Sequence, residues 1–351
     1  MSRTVQPGTN RAALRRVLLV RLRRAGDVIM TTPALAALRR ALPDSHLAYV
    51  VEAPFARLVE GHPALDETIV VESSLGPAAF LRLVRRIRRG RYDAVVDLHG
   101  GPRASRLTFL AGAPVRVGYE IPWRRFIYTT RVARRGAEGP VHSVVNHINL
   151  VRALGLEVSD IPPLALPEPR PEEKARVAAF IDENIPSAAK LVVFHVGAGN
   201  DFRDWGPAAA TELVRLLSGR PGARVVLVGG AEDRERAAEI LRRAPGSALS
   251  VAGTFGWAEL RELIGRAALF IGPDSGPMHV AAATATPIVA LFGPTLPAHF
   301  APWRSDRVAI LEKSLDCRPC RQRECVHHDF RCLRTITPAE VMAAAARFLY
   351  G

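Results

Sequence analysis

The chain has 351 residues, almost half of them hydrophobic, and a formal charge of +14; that length exceeds one comfortable core and implies two domains with a ligand cleft. No apolar run approaches the roughly 20 residues of a membrane-spanning helix. Aromatics are 6% of residues, and no aromatic-interleaved basic motif, zinc-finger spacing or recognition helix accompanies the charge, which argues against nucleic acid as its partner.

Residues 1–16 form a basic, polar extension without the apolar core of a secretory signal, so the expected address is the cytoplasm. From Val17, short apolar runs alternate with amphipathic stretches: Val17–Val20, Leu47–Val51, Thr68–Val71 and Ala94–Leu98 read as strands of a parallel sheet wrapped by helices. The loop after the first strand runs Arg21 to Pro33, and Thr32-Pro33 makes a good helix start. Asp27 is thereby left in the loop or in an irregular first turn, facing the cleft. There a carboxylate can accept a proton from an attacking hydroxyl, although a local cap uses the same residue type.

The densest basic run, Leu81 to Arg91, places Leu81, Val84 and Ile87 on one helical face and arginines on the others. It reads as a solvated face or as a surface that settles on anionic lipid headgroups, which attract clustered Arg by about 1 kcal/mol per residue. A proline-rich segment, residues 161–171, can be neither helix nor central strand and marks the boundary between a domain at 17–160 and a second at 172–337.

Beyond it the rhythm resumes, with strands expected at Leu191–His195, Arg224–Val228, Leu249–Val251, Ala268–Ile271 and Ile288–Leu291. Gly197-Ala198-Gly199 and Arg203 follow the first of these: glycines permit close approach of phosphate and Arg203 offers a forked cation. The loop is neither a P-loop nor a dinucleotide fingerprint. Glu232, after Gly229-Gly230-Ala231, can accept from two ribose hydroxyls or simply sit at a helix start.

Asp274-Ser275-Gly276-Pro277-Met278-His279 turns an apolar strand into a small-residue helix, Val280–Ala285. Free N–H groups and the helix dipole make such a turn an anion seat, with His279 in the first turn as a further donor. Four cysteines, Cys317, Cys320, Cys325 and Cys332, crowd into sixteen residues; reduced thiols, a structural zinc ion and disulfides all remain open, and the spacing suits a zinc ribbon poorly. A last helix, 338–351, follows.

Taken together, Gly26-Asp27-Val28 with Thr32-Pro33, Asp97-Leu98-His99-Gly100, the Val196–Trp205 loop, Gly229-Gly230-Ala231-Glu232, Val251-Ala252-Gly253, and Asp274 to His279 with Leu291-Phe292-Gly293-Pro294-Thr295 resemble the ADP-heptose lipopolysaccharide heptosyltransferases, glycosyltransferase family 9. The resemblance runs from Val17 to about Ala345. The tail from Cys317 to Pro338 is similar to the branch that adds the second heptose.

The resemblance implies a GT-B fold of two doubly wound α/β domains. It implies an ADP-sugar donor on the second domain, a lipopolysaccharide core precursor as acceptor on the first, inversion at the anomeric carbon, and no required cofactor. Asp27 becomes the general base, while Gly197, Ala198, Gly199, Arg203, Glu232, Asp274, Ser275, Gly276 and His279 hold the donor. His99, Arg103, Arg106 and His142 are candidate acceptor contacts. The family usually has Lys where Arg203 stands; the charge survives but the donor geometry differs. The residues also suit a relative using another ADP-sugar or acceptor, a nucleotide-sugar epimerase of similar shape, or a nucleotide-binding protein peripheral to the inner membrane.

Overall fold

The computed structural model describes residues 14–134, 140–197, 199–220, 222–303 and 306–350. Ala198 and the first thirteen residues of the basic extension lie outside the described residues. The chain separates into two compact units, Met1–Pro167 and Glu168–Gly351.

In the first unit six parallel strands, β1 (Arg16–Val20), β2 (His46–Glu52), β3 (Glu67–Val71), β4 (Ala94–Asp97), β5 (Val115–Tyr119) and β6 (Thr130–Val132), pair in the order β3-β2-β1-β4-β5-β6. The second unit has β7 (Lys190–His195), β8 (Ala223–Val228), β9 (Ala248–Ser250), β10 (Leu269–Pro273), β11 (Ile288–Phe292) and β12 (Val308–Glu312) in the order β12-β11-β10-β7-β8-β9. Counted from its own first strand, the second sheet repeats the order of the first. The central strands are covered on both faces, which is why they read as unbroken Val/Leu/Ile runs: Val17 to Val20 and Leu269 to Ile271 have no exposed surface.

Strand order reverses between β1 and β4 and again between β7 and β10. In doubly wound sheets, ligands bind outside the carboxyl ends of the strands at such a reversal. Each unit therefore has one candidate ligand-binding edge, at the loops after β1 and β4 in the first and after β7 and β10 in the second.

The nine expected strands are present with ends shifted by a residue or two, and β5, β6 and β12 join them. Three local expectations change. Asp27 lies inside a five-residue helix, Ala25–Ile29, ahead of the helix Thr32–Ala41. The helix after β10 begins earlier, spanning Gly276–Ala282. In the arginine-rich helix Pro77–Arg89 the buried residues are Leu83, Val84 and Ile87, while Leu81 is 47% exposed. Half-buried Phe80 completes an i, i+3, i+4, i+7 stripe that Leu81 falls outside.

The proline-rich stretch has no regular structure until Pro171 opens the helix Pro171–Asn184, yet Leu164 and Leu166 are buried and the Ala165 N–H donates to Thr32 Oγ1. The last helix, Pro338–Leu349, starts with a reciprocal cap between Thr337 and Glu340. It buries Val341, Met342, Ala345 and Leu349 in the core of the second unit. No helix among the described residues is long and apolar enough to cross a membrane.

Candidate functional site

At the β1/β4 edge, a buried arginine missed by the sequence reading organises the loops. Arg21, the first residue after β1, is 5% exposed and donates through Nη1 to the Leu98 carbonyl at 2.7 Å. Its Nη2 pairs with Asp27 Oδ2 at 2.5 Å. Asp27 keeps 29% of its side chain exposed, so a carboxylate reachable by a hydroxyl is held by a guanidinium that is not. The signal was local: a cation leaving a buried strand six residues ahead of a carboxylate.

The β4 side is shaped by Asp97, fully buried at the strand end. Its Oδ1 accepts from the N–H groups of His99 and Gly100, and its Oδ2 accepts from Tyr128 Oη at 2.6 Å and Ser105 Oγ at 3.3 Å. Burial pushes this carboxyl above its usual range, against those donors. The loop so held presents His99, whose Nδ1 accepts from the Leu22 N–H at 3.2 Å. Burial, then the nearby Arg21 charge, lowers His99 to about 4. The imidazole is therefore neutral near pH 7, with Nε2 as its donor.

The other acceptor candidates make contacts within the protein. Arg103 is taken up by Glu52 Oε1 at 2.9 Å and by the carbonyls of Ser73 and Glu72. Arg106 is exposed and stacks over the Phe80 ring. His142 caps the helix Ser143–Arg152, its Nδ1 accepting from the Val144 N–H.

At the β7/β10 edge, four predicted residues come together. Asp274, 4% exposed, accepts from Thr295 Oγ1 at 2.6 Å and lies 3.5 Å from Arg203 Nη1, which also donates to the Asp274 carbonyl. Arg203 Nε donates to Gln322 Oε1 at 3.1 Å. His279 Nε2 stands 3.9 Å from Asp274 Oδ1. The Ser275 hydroxyl donates to the Pro273 carbonyl and meets His195 Nδ1 at 3.0 Å. Burial, helped by Arg236, drives His195 to about 3, so this imidazole too is neutral near pH 7.

The helix Gly276–Ala282 thus starts without a side-chain cap, because Ser275 spends its hydroxyl backwards on the strand end. Its first N–H groups have no intrahelical acceptor, and the dipole makes that turn electropositive. Asp274 sits behind the turn as a buried anchor that Arg203 and Thr295 hold in place.

Two of the glycines also make room for a protein group. A Cβ on Gly197 would lie 2.1 Å from Asp233 Oδ2, and one on Gly229 would lie 2.6 Å from Asp233 Cβ. Asp233 is buried beneath both loops, accepts from the Gly230 N–H at 2.9 Å and faces Arg236. The close approach these positions allow is to a protein carboxylate. Gly199 is different: its φ of +72° favours glycine for the turn itself. Glu232 is exposed on the short turn Ala231–Asp233, without a tie to the Asp274 group among the described residues.

The four cysteines are free thiols, each partly buried. Backbone N–H groups of Phe330, His327, Asp329 and His328 turn toward Cys325 and lower its thiol below the usual range. No group of three or more His, Cys, Asp or Glu suited to a metal ion occurs among the described residues.

Comparison with known proteins bears on the family and the fold. The sequence profile of glycosyltransferase family 9 (heptosyltransferase) matches residues 80–330. Lipopolysaccharide heptosyltransferase 1 of Pseudomonas aeruginosa is 29% identical over 325 residues, covering 89% of this chain and 88% of that protein. The crystal structure of a family 9 glycosyltransferase from Veillonella parvula superposes with a TM-score of 0.84 at 26% identity, over 96% of this chain and 97% of that one. The ADP-heptose heptosyltransferase II structure from Escherichia coli gives a TM-score of 0.79 at 23% identity, over 95% and 98% of the two chains. That last likeness speaks for the fold.

Proposed function

The chain belongs to glycosyltransferase family 9, and from that premise we propose that it transfers L-glycero-D-manno-heptose from an ADP-activated donor to the lipopolysaccharide inner core, at the second-heptose step. The observation that carries the reading is the pair of ligand-binding edges, one per unit, furnished with complementary chemistry. The first offers a reachable carboxylate, Asp27, and a neutral imidazole donor, His99. The second offers an uncapped helix start beside the Arg203 guanidinium, which suits a diphosphate.

In this reading Asp27 Oδ1 takes the proton of the acceptor hydroxyl from within about 3 Å. The freed oxygen forms its bond to the anomeric carbon as the bond to ADP breaks, giving inversion. Negative charge grows on the departing diphosphate, where the N–H groups of Gly276 and Met278 and the Arg203 charge oppose it. Glu232 serves the ribose. The chemistry asks for no cofactor of its own. Arg21 positions the base, and Asp97 positions His99.

The step assignment rests on the cysteine-bearing tail from Cys317 to Pro338, because the relatives above include both a heptosyltransferase 1 and a heptosyltransferase II. Action at the cytoplasmic face of the inner membrane is part of the same reading, supported by the arginine face of the helix Pro77–Arg89.

The test is ADP release from ADP-L-glycero-D-manno-heptose, with and without mono-heptosylated Kdo₂-lipid A. Release that requires this acceptor supports both the transferase chemistry and the step. Release with unheptosylated Kdo₂-lipid A alone moves the enzyme to another step. Release without acceptor favours an epimerase-like reaction, and none with any acceptor defeats the assignment.

A further inference from the structure

The crossover between β5 and β6 carries a surface that the transfer chemistry does not use. Trp123 is 93% exposed and Phe126 72%, and beside them Phe109 and Leu110, at the end of the helix Pro102–Leu110, are 46% and 36% exposed. Phe109 and Phe126 meet edge to face, with ring centroids 6.1 Å apart. Phe109, Leu110 and Phe126 make an exposed apolar cluster of the kind that folded chains ordinarily bury or use, and Trp123 stands three residues from Phe126 along the chain.

The patch is held outward by a pinned turn. Arg124 Nη1 donates to the Gly100 carbonyl at 2.8 Å, the Ile127 N–H donates to the Arg124 carbonyl, and Arg116 Nε donates to the Ile127 carbonyl at 2.7 Å. Ile127 and Tyr128 are buried, the latter bonded to Asp97. Between these anchors Trp123 adopts φ +66°, a conformation that a bulky residue rarely takes. A backbone bent unfavourably to present an almost fully exposed indole is an expense that folding alone does not explain.

The surroundings are cationic. Residues 102–132 contain six arginines and one carboxylate, Glu120, and Glu120 stands 3.5 Å from Arg125. Arg116 lies over the Phe109 ring, and Arg106 over Phe80 of the arginine-rich helix. Arg103 is turned inward onto Glu52, which leaves Arg106, Arg125 and Arg131 at the surface.

We propose that Trp123, Phe126, Phe109 and Leu110 enter the headgroup region of an anionic phospholipid bilayer while Arg106, Arg125 and Arg131 meet its phosphates. An indole that stands out from the surface suits a soft interface, where Trp places an apolar ring and an N–H donor at the boundary. Aromatic residues flanked by arginine are the composition of interfacial anchors. This deepens the membrane part of the reading above with a different element, and does not depend on the sugar or the acceptor.

The test is flotation of the full-length protein with phosphatidylglycerol/phosphatidylcholine vesicles and with pure phosphatidylcholine vesicles, both free of donor and acceptor, so that failure here leaves the transferase assignment untouched. The parent should float with the anionic vesicles, release with added salt and stay down with the neutral ones. W123A/F126A should bind at least about tenfold more weakly with unchanged thermal unfolding, and W123F should keep most of the binding. Equal flotation of parent and W123A/F126A would overturn the proposal, as would a parent that ignores anionic vesicles. Sedimentation showing a dimer that W123A/F126A dissociates would reassign the patch to self-association.

Discussion

Single side chains decide three outcomes. Asn in place of Asp27 keeps the contact with Arg21 but cannot take a proton; kcat should fall by about 10²–10⁴, with ADP-heptose binding unchanged by calorimetry. Arg203 reaches the Asp274 carboxylate and carbonyl and Gln322 at once, a spread that an ammonium cannot match. Arg203→Lys should therefore weaken ADP binding less than tenfold, and Arg203→Ala by about tenfold or more. Gly197→Ala sets a methyl against Asp233 and should cost about 1–3 kcal/mol of stability. Denaturant midpoints would show the cost shrinking in an Asp233→Ser background, since neighbouring sites are non-additive.

At the scale of elements, the arginine-rich helix separates two leucines only two residues apart. Leu83 is 8% exposed and Leu81 47%, so Leu83→Ala should destabilise by about 2–3 kcal/mol and Leu81→Ala by no more than about 0.5, as urea titrations would report. Equal losses would mean the helix is rotated. The sequence favoured the wrong leucine because a strict spacing of three drifts off a face that repeats every 3.6 residues. Strand recognition failed for a related reason. Central strands announce themselves as continuous apolar runs, but β5 interleaves Arg116 and Gly118, β6 has only three residues, and β12 alternates half-buried and exposed positions at a sheet edge. The site showed the same division. Asp27, Arg203, Asp274 and Ser275 lie in the connections that follow obvious strands, and Arg21 is within local reach of Asp27, whereas Asp233 and His195 matter through contacts with residues far away along the chain, which no local pattern encodes.

For the molecule as a whole, acid should act on both units. Burial lowers His62 and His99 from 6.5 to about 4 in the first unit and His195 to about 3 in the second. Each is neutral when folded and readily protonated when unfolded, so the unfolded state binds more protons once pH falls below 6.5. Stability is fully present above that value and is lost as pH falls through the folded values. Chemical denaturation between pH 7 and 4 should show the decline. In His62→Asn, whose amide oxygen can still accept from the Ala64 N–H that His62 Nδ1 now takes, the decline should be shallower by at most about 3 kcal/mol.

The repeated strand order carries an evolutionary consequence. Each sheet closes its hydrogen-bond ladder entirely among its own strands, so an exchange of coding sequence between Pro167 and Glu168 would cut no strand pair. Selection can then revise the specificity of one half while inheriting the other intact, and a lineage can diversify its products by recombination instead of by rebuilding a core.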